Sequence, residues 1–335
     1  MIPKMLKVTR RLFGVLACIA MATGLAAPAA RAMPAKWCSK VHIRFFVGGD
    51  AGDAFGTIVY NGAKQAAEDL GAQVDYVFSG WNSEKMVQQF REAVAAHPDG
   101  IAMMGHPGAA ALGPIAAQAA KDGIKMMYQN VDLPELRKKY GGGYVGAQLD
   151  PQGYALGRTA VEMLGLKPGE KAIVFADWGQ SARVIRELAT VRALQDAGLK
   201  VIKLESPPED AADPNLLLPE HTAAILNNPD VKLIAYPGGQ VLGNVPTYMR
   251  AAHKKPGQID AIGFDTSPQV IQAFKDGWVQ LTSDQEPFLQ GYLPILSLCQ
   301  QVVLGLAPLT VDTSAGFVTP QNYEQVAKLA EEGLR

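Results

Sequence analysis

The sequence predicts an α/β protein made of two similar doubly wound, parallel-sheet domains. Three observations carry that prediction. From Val41 onward, short apolar runs alternate with longer amphipathic ones, the pattern of strands covered by helices on both faces. The rhythm breaks once, between Val131 and Gly143, and then resumes. It therefore falls into two halves of about 120 residues, an ordinary domain size. The chain has 335 residues, 48% apolar and 19% charged, enough for each half to bury a core of its own.

In the first half, His42–Gly48 is rich in β-branched and aromatic residues and reads as a strand. Asp53–Leu70 places Phe55, Ile58, Val59, Ala63, Ala66, Ala67 and Leu70 at helical spacing, and Gly71 supplies the stop. Gln73–Phe78 is a strand. Ser83–Ala96 is a helix with Ser83 at its N-cap. Ile101–Met104 is a strand, Ala109–Lys121 a helix and Ile124–Tyr128 a strand. The segment Val131–Gly143, with Pro134, a basic Arg137-Lys138-Lys139 cluster and three glycines, reads as a surface excursion ahead of a domain crossing.

The second half repeats the order. Strands are expected at Tyr144–Ala147, Ala172–Phe175, Val201–Leu204, Leu233–Ala235, Ala261–Phe264 and Val279–Thr282. Helices are expected at Pro151–Leu164, Gln180–Ala197, around His221–Leu226, at Gln240–Ala252 with Pro246 inside it, at Pro268–Lys275 and at Pro287–Leu304. Residues 206–214, with Pro207, Pro208 and Pro214 among acidic residues, read as a loop.

The N-terminus reads as a secretory signal peptide over residues 1–32. Lys4, Lys7, Arg10 and Arg11 precede a small-residue apolar run from Leu12 to Ala30, and Ala27-Pro28-Ala29 and Ala30-Arg31-Ala32 fit a cleavage pattern. The run is Ala- and Gly-rich rather than a membrane span. Val15-Leu16-Ala17-Cys18 is a poor lipidation site, so no lipid anchor is expected. Export permits a disulfide. Cys38 and Cys299 remain after cleavage, and the sequence leaves them either as two thiols or as a pair.

In open α/β sheets, ligands bind beyond the carboxyl ends of the strands. Those ends carry Gly48–Gly56, Gly80-Trp81-Asn82, Gly105-His106-Pro107-Gly108 and Tyr128-Gln129-Asn130 in the first half. In the second they carry Asp177-Trp178-Gly179-Gln180, Tyr236–Gln240, Asp265-Thr266-Ser267 and Asp284-Gln285-Glu286. Carboxylates and amides exchange hydrogen bonds with hydroxyls, and aromatic faces stack on C–H faces, so the mixture suits a polyhydroxylated small molecule. Asp53 and Ser267 are equally suited to helix capping, and Trp81 and Trp178 to core packing.

The order of these elements, with Asn61-Gly62-Ala63, Leu70-Gly71, Ile262-Gly263-Phe264-Asp265 and the Asp284-Gln285-Glu286-Pro287 junction, resembles the ribose-binding-protein family. This is the sugar-binding branch of the type I periplasmic binding proteins, and the likeness runs from about residue 41 to 310. The resemblance implies two lobes joined by a three-segment hinge, with crossings near Gly143–Gln148, Asp284–Glu286 and Leu309–Asp312. One lobe would be 38–145 with 286–311, the other 146–285 with 312–335. It implies that Asp265 and Gln285 bind sugar hydroxyls, and that Gly49, Asp53 and Phe55 contribute from the first-strand loop. The family's Asp-Arg pair falls on Gln129 and Asn130, its second arginine near Glu187 or Arg183, and its asparagine before the mid-domain helix on Gly238. The frame is kept while much of the ribose chemistry is not, and Trp81 and Trp178 are candidates to reshape the pocket for a longer or acyclic polyol.

Enzyme signatures are missing. The sequence holds no G-x-x-x-x-G-K-[ST], no G-x-S-x-G and no H-E-x-x-H. Its five histidines lack metal-ligand spacing, so neither metal nor cofactor is expected. A formal net charge of −1 gives no electrostatic case for nucleic acid. A sugar-responsive repressor of the same core fold would need a helix-turn-helix where this chain has its leader. The expectation is a monomeric periplasmic receptor that closes on a monosaccharide or sugar alcohol and presents it to the membrane permease of an ABC importer. The competing classes are a receptor that delivers a signal molecule to a membrane sensor and an exported carbohydrate-active enzyme.

Overall fold

The computed structural model describes residues 33–207, 213–314 and 316–335. Residues 1–32, read from sequence as a signal peptide and including Cys18, lie outside the described residues, as do 208–212 of the proline-rich loop. The first sheet is formed by β1 (His42–Gly48), β2 (Gln73–Phe78), β3 (Gly100–Met104), β4 (Lys125–Gln129), β5 (Gly143–Gly146) and β11 (Thr310–Asp312). Its order is β11-β5-β4-β3-β1-β2, and the pairs between them are parallel. The second sheet contains β6 (Lys171–Ala176), β7 (Lys200–Glu205), β8 (Val231–Ala235), β9 (Asp260–Phe264), β10 (Leu281–Asp284) and β12 (Gly316–Val318). Its order, β12-β10-β9-β8-β6-β7, repeats the first, with β12 antiparallel to β10. The two sheets thus share one winding, as the repeated sequence rhythm predicts.

Helices cover both sheets. In the first lobe they are α1 (Ala54–Leu70), α2 (Ser83–Ala95), α3 (Gly108–Lys121), α4 (Pro134–Tyr140) and α11 (Pro287–Leu304). In the second they are α5 (Leu149–Leu164), α6 (Ile185–Asp196), α7 (Leu218–Asn227), α8 (Gly239–Gly243), α9 (Val245–Ala251), α10 (Pro268–Lys275) and α12 (Glu324–Glu331). The central strand β1 buries Phe45, Phe46 and Val47 completely, which is why its apolar residues run together instead of alternating. Chain crossings between the sheets follow β5, β10 and β11. After the second, α11 returns to pack on α1. Two glycines allow that approach: a Cβ on Gly62 would stand 2.0 Å from the Phe288 carbonyl oxygen, and one on Gly291 2.0 Å from that of Val59.

Cys38, just before β1, is disulfide-bonded to Cys299 of α11, closing a sequence separation of 261. Both cysteines are fully buried in the first core.

Several local expectations are corrected. The segment after β4 is not wholly a loop. Pro134 stands at the first turn of α4, where its fixed φ and missing N–H suit a helix start. Arg137, Lys138 and Lys139 occupy the last turn, favourable for the helix dipole. Asn82, not Ser83, caps α2, accepting from the Lys85 amide at 2.8 Å. The helix expected at Gln180–Ala197 begins only at Ile185. The one expected at Gln240–Ala252 is split at Asn244 into α8 and α9, with Pro246 in the first turn of α9. The three-residue strands β11 and β12 and the helix α12 were not anticipated. Among the described residues, no helix is long and apolar enough to cross a membrane.

Candidate functional site

Each sheet reverses its winding once, between β1 and β3 in the first and between β6 and β8 in the second. Such switch points are where open α/β sheets leave a crevice beyond their strand ends. A cavity of about 700 Å³, partly open to solvent, lies between the lobes and is lined from both switch points.

From the first lobe come Phe55 after β1, Trp81 after β2, His106 after β3 and Asn130 after β4. Trp81 packs between the other two rings, 5.7 Å from Phe55 and 5.2 Å from His106 between centroids. His106 is buried, and its Nδ1 has no partner within the protein. Burial, with the nearby Arg183 and Arg186 charges, pushes its pKa down to about 3, so the ring is neutral at physiological pH. Asn130 donates from Nδ2 to the Oε1 atoms of Gln285 and Gln290 at 3.2 and 3.1 Å.

The second lobe contributes Asp177, Gln180, Arg183 and Val184 from the turn between β6 and α6, Glu187 from the first turn of α6, and Ser206 after β7. Pro237, Gly238, Gln240 and Val241 follow β8, and Asp265 follows β9. Gln285, at the second crossing, donates to Asp265 Oδ1 at 2.6 Å. Burial raises the Asp265 carboxyl above its ordinary range, while Arg186 and the Gln285 bond pull it back. The buried Gln180 Oε1 and Ser206 Oγ, like His106 Nδ1, lack a partner within the protein. An unpaired buried polar atom costs about 1–3 kcal/mol, and three residues that carry one line this cavity.

Trp81, Asn130 and Asp265 share a backbone feature. Their φ angles are 59°, 63° and 70°, in the left-handed region that side chains other than glycine rarely occupy. Strain of this kind is tolerated where the surroundings over-determine it, and it gathers at ligand sites.

Of the residues singled out from sequence, Phe55, Trp81, Asn130, Arg183, Gly238, Asp265 and Gln285 line the cavity. Four do not. Gln129 is fully buried beneath it and donates from Nε2 to the Phe46 carbonyl at 2.5 Å; as the last residue of β4 it faces the core, and the turn at Asn130 reverses direction. Trp178 lies against the second core, with Nε1 on the Leu204 carbonyl at 2.7 Å and Lys203 over its ring at 4.7 Å. Asp53 caps α1 through the Gly56 amide at 2.7 Å and accepts from Gln240 Nε2 at 3.0 Å. Gly49 provides room for that carboxylate: a Cβ there would be 1.5 Å from Asp53 Oδ2. Asp53 lines instead a second recess of about 1110 Å³, which has no aromatic wall. Sequence reasoning gave no sign of Ser206 or the buried Arg186; Gln240 it placed among the strand-end residues, and it lines the cavity. Ser206 does stand immediately after a strand, the position to which the strand-end rule points.

Two parallel-sheet lobes with a polar and aromatic cavity between their strand ends define a two-lobed ligand-binding architecture. A family model described as a periplasmic binding protein domain matches residues 43–305, and the chain belongs to that family. It is 27% identical over 194 residues to the xylose/arabinose-binding protein of Sulfolobus acidocaldarius, an alignment covering 54% of this chain and 45% of that relative. The chain thus matches less than half the length of that curated relative. Among solved structures it resembles a carbohydrate transporter from Acidothermus cellulolyticus 11B in complex with myo-inositol, at a TM-score of 0.76 and 24% identity, over 88% of this chain and 99% of that one. It also resembles an ABC transporter solute-binding protein from Burkholderia graminis C4D1M in complex with D-arabinose, at a TM-score of 0.75 and 22% identity, over 85% and 97%.

Proposed function

We propose that this chain is the periplasmic solute-binding component of an ABC importer and that it binds a monosaccharide or sugar alcohol between its lobes. The observation that carries the reading is the set of polar atoms without protein partners, His106 Nδ1, Gln180 Oε1 and Ser206 Oγ, beside Asp265 and the Phe55–Trp81 aromatic wall. Hydroxyls both donate and accept, so a polyol satisfies acceptors and donors together while a ring C–H face lies against Trp81. The names of the relatives point the same way, to pentoses and myo-inositol.

Because both lobes contribute to the lining, Phe55, Trp81, His106 and Asn130 from the first and most of the rest from the second, a ligand that touches both favours the closed arrangement over an open one. Closure removes water and strengthens the hydrogen bonds inside. The residues proposed to contact the ligand are Phe55, Trp81, His106, Asn130, Arg183, Gly238, Asp265 and Gln285. Gln180 and Ser206 join them. Residues 1–32 are read as the leader that directs export, the mature protein as a monomer, and its partner as a membrane permease. Catalysis is not proposed: the cavity's carboxylates are committed to arginine, glutamine and backbone N–H groups.

A thermal-shift panel of pentoses, hexoses and C4–C6 polyols on protein lacking residues 1–32 tests this. A ligand that binds only the folded state raises the melting temperature by mass action. A shift with one such compound, recovered chemically unchanged, is the expected result. Conversion of the compound would instead favour an exported enzyme. A response to a signalling molecule and to no sugar would favour the sensor reading.

A further inference from the structure

The cavity contains one guanidinium among its lining groups, and that group is already engaged. Arg183 Nη1 donates to both carboxylate oxygens of Glu187, at 2.9 and 3.0 Å, and its Nη2 to the Pro237 carbonyl at 3.2 Å. Behind it lies Arg186, fully buried. Its Nε donates to Glu187 Oε1 at 3.2 Å and its Nη2 to the same Pro237 carbonyl at 2.7 Å, and its guanidinium lies 3.7 Å from the centroid of the Phe264 ring. Glu187 therefore serves two arginines at once. Burial alone would push its carboxyl up, but Arg183 and Arg186 together hold it below the ordinary range, so it is ionised.

Among the described residues, no other cation lines the cavity. His106 is neutral for the reasons given above. The lining carboxylates are Asp177, Glu187 and Asp265, against Arg183 alone, or against Arg183 and Arg186 when the charge behind the wall is counted. Even with Asp265 protonated, two anions stand against two cations. A ligand carboxylate or phosphate would have to compete with Glu187 for the charge of Arg183 or remain buried without a counter-charge. Both are heavily unfavourable, because a desolvated charge needs a partner.

We infer that Glu187 is a specificity-determining residue: by occupying Arg183 in a preformed ion pair, it restricts the cavity to uncharged polyhydroxylated ligands and rejects sugar acids and sugar phosphates. The inference rests on the reading of the cavity as a sugar site. It gives the Arg183–Glu187–Arg186 cluster a task beyond holding the turn before α6, namely discrimination by leaving the wrong ligand's charge unpaired.

The test is calorimetric titration at pH 7 with a matched pair, the neutral sugar giving the largest thermal shift and its uronic acid. The wild type is expected to bind the acid at least about 100-fold more weakly than the sugar. In Glu187→Gln, which leaves two guanidiniums with one charged partner fewer, the gap is expected to narrow to about tenfold or less. Because that change disturbs a buried pair, Gln180→Lys provides a second route: it adds a cation to the lining and leaves the pair intact, and it too should admit the acid. Equal or tighter binding of the acid by the wild type overturns the inference while the sugar-binding reading stands. Undiminished rejection by a folded Glu187→Gln, or by Gln180→Lys if the former does not fold, also overturns it. If neither member of any pair binds, the sugar reading falls, and the inference with it.

Discussion

Gln240 of α8 donates from Nε2 to Asp53 Oδ1 at 3.0 Å, joining the second lobe to the cap of the first helix of the first lobe. This bond sits on the wall between the two recesses, and under the proposed hinge closure it is a contact that holds the lobes together. Replacing Gln240 by Ala removes the bond without altering the α1 cap. The expected outcome is ligand affinity lowered by roughly 5- to 30-fold, the equivalent of about 1–2 kcal/mol for one charge-assisted bond, seen mainly as a faster off-rate in stopped-flow measurements. An unchanged off-rate would mean that the bond contributes nothing to closure.

The same carboxylate gives a pH signature. Burial, partly offset by the Gly56 amide and reinforced by Asp50, pushes the Asp53 pKa up to about 6. Between its unfolded value near 4 and about 6, the folded protein holds the proton more tightly than the unfolded chain does. Asp53 therefore costs stability once ionised, about 3 kcal/mol at pH 7.5, and that cost fades as pH falls towards 4. Asp53→Asn keeps an acceptor for Gly56 and Gln240. It should be more stable than wild type at pH 7.5 in urea denaturation, with the difference shrinking at pH 4. A pH-independent difference would contradict this assignment.

His221 acts in the opposite sense. It is fully buried, stacked 3.9 Å from Phe175 with its ring 4.5 Å from Tyr248, and neither ring nitrogen has a partner. Burial pushes its pKa down to about 3. The unfolded chain takes up a proton near pH 6.5 that the folded one refuses, so stability falls as pH drops from 6.5 towards 3, by about 1.4 kcal/mol per unit. His106 adds a parallel loss. His221→Phe should flatten this acid slope in melting temperature measured from pH 7 to 5. A wild-type slope in a folded variant would contradict the account.

The Cys38–Cys299 disulfide ties the segment before β1 to α11. Closing so long a loop restricts the unfolded chain, and loss of such a bond costs about 2–5 kcal/mol. Cys38→Ser with Cys299→Ser should lower the free energy of unfolding by that amount in denaturant titration while leaving ligand affinity near wild type, since neither residue lines the cavity.

Much of this fold was legible because its strands are buried on both faces, so Phe45–Val47, Ile101–Met104 and Ile173–Phe175 appear as apolar runs between helical repeats. Three kinds of feature were not legible. Proline gives an ambiguous signal: Pro134 looks like a loop residue, yet it opens a helix whose Leu136 is buried. Strands of three residues, such as β11 and β12, carry too little pattern and are fixed by their neighbours' edges. Within the site, strand ends located the cavity, but side-chain direction there depends on single left-handed residues. Asn130 faces the cavity while Gln129, one position earlier, faces the core. In the Arg183–Glu187–Arg186 cluster the i, i+4 spacing of Arg183 and Glu187 is visible in the sequence, but nothing there signals that Arg186 turns inward to share the carboxylate.

The most direct measurement of the central claim is calorimetric titration of Asp265→Ala beside wild type, using the sugar identified in the thermal-shift panel. Asp265 is buried on the cavity wall, held by Gln285 in a left-handed turn after β9. Loss of a buried carboxyl that hydrogen-bonds ligand hydroxyls predicts affinity reduced by about 10- to 150-fold in a protein that still folds. Wild-type affinity in a folded Asp265→Ala variant would show that the sugar binds elsewhere and would contradict the account.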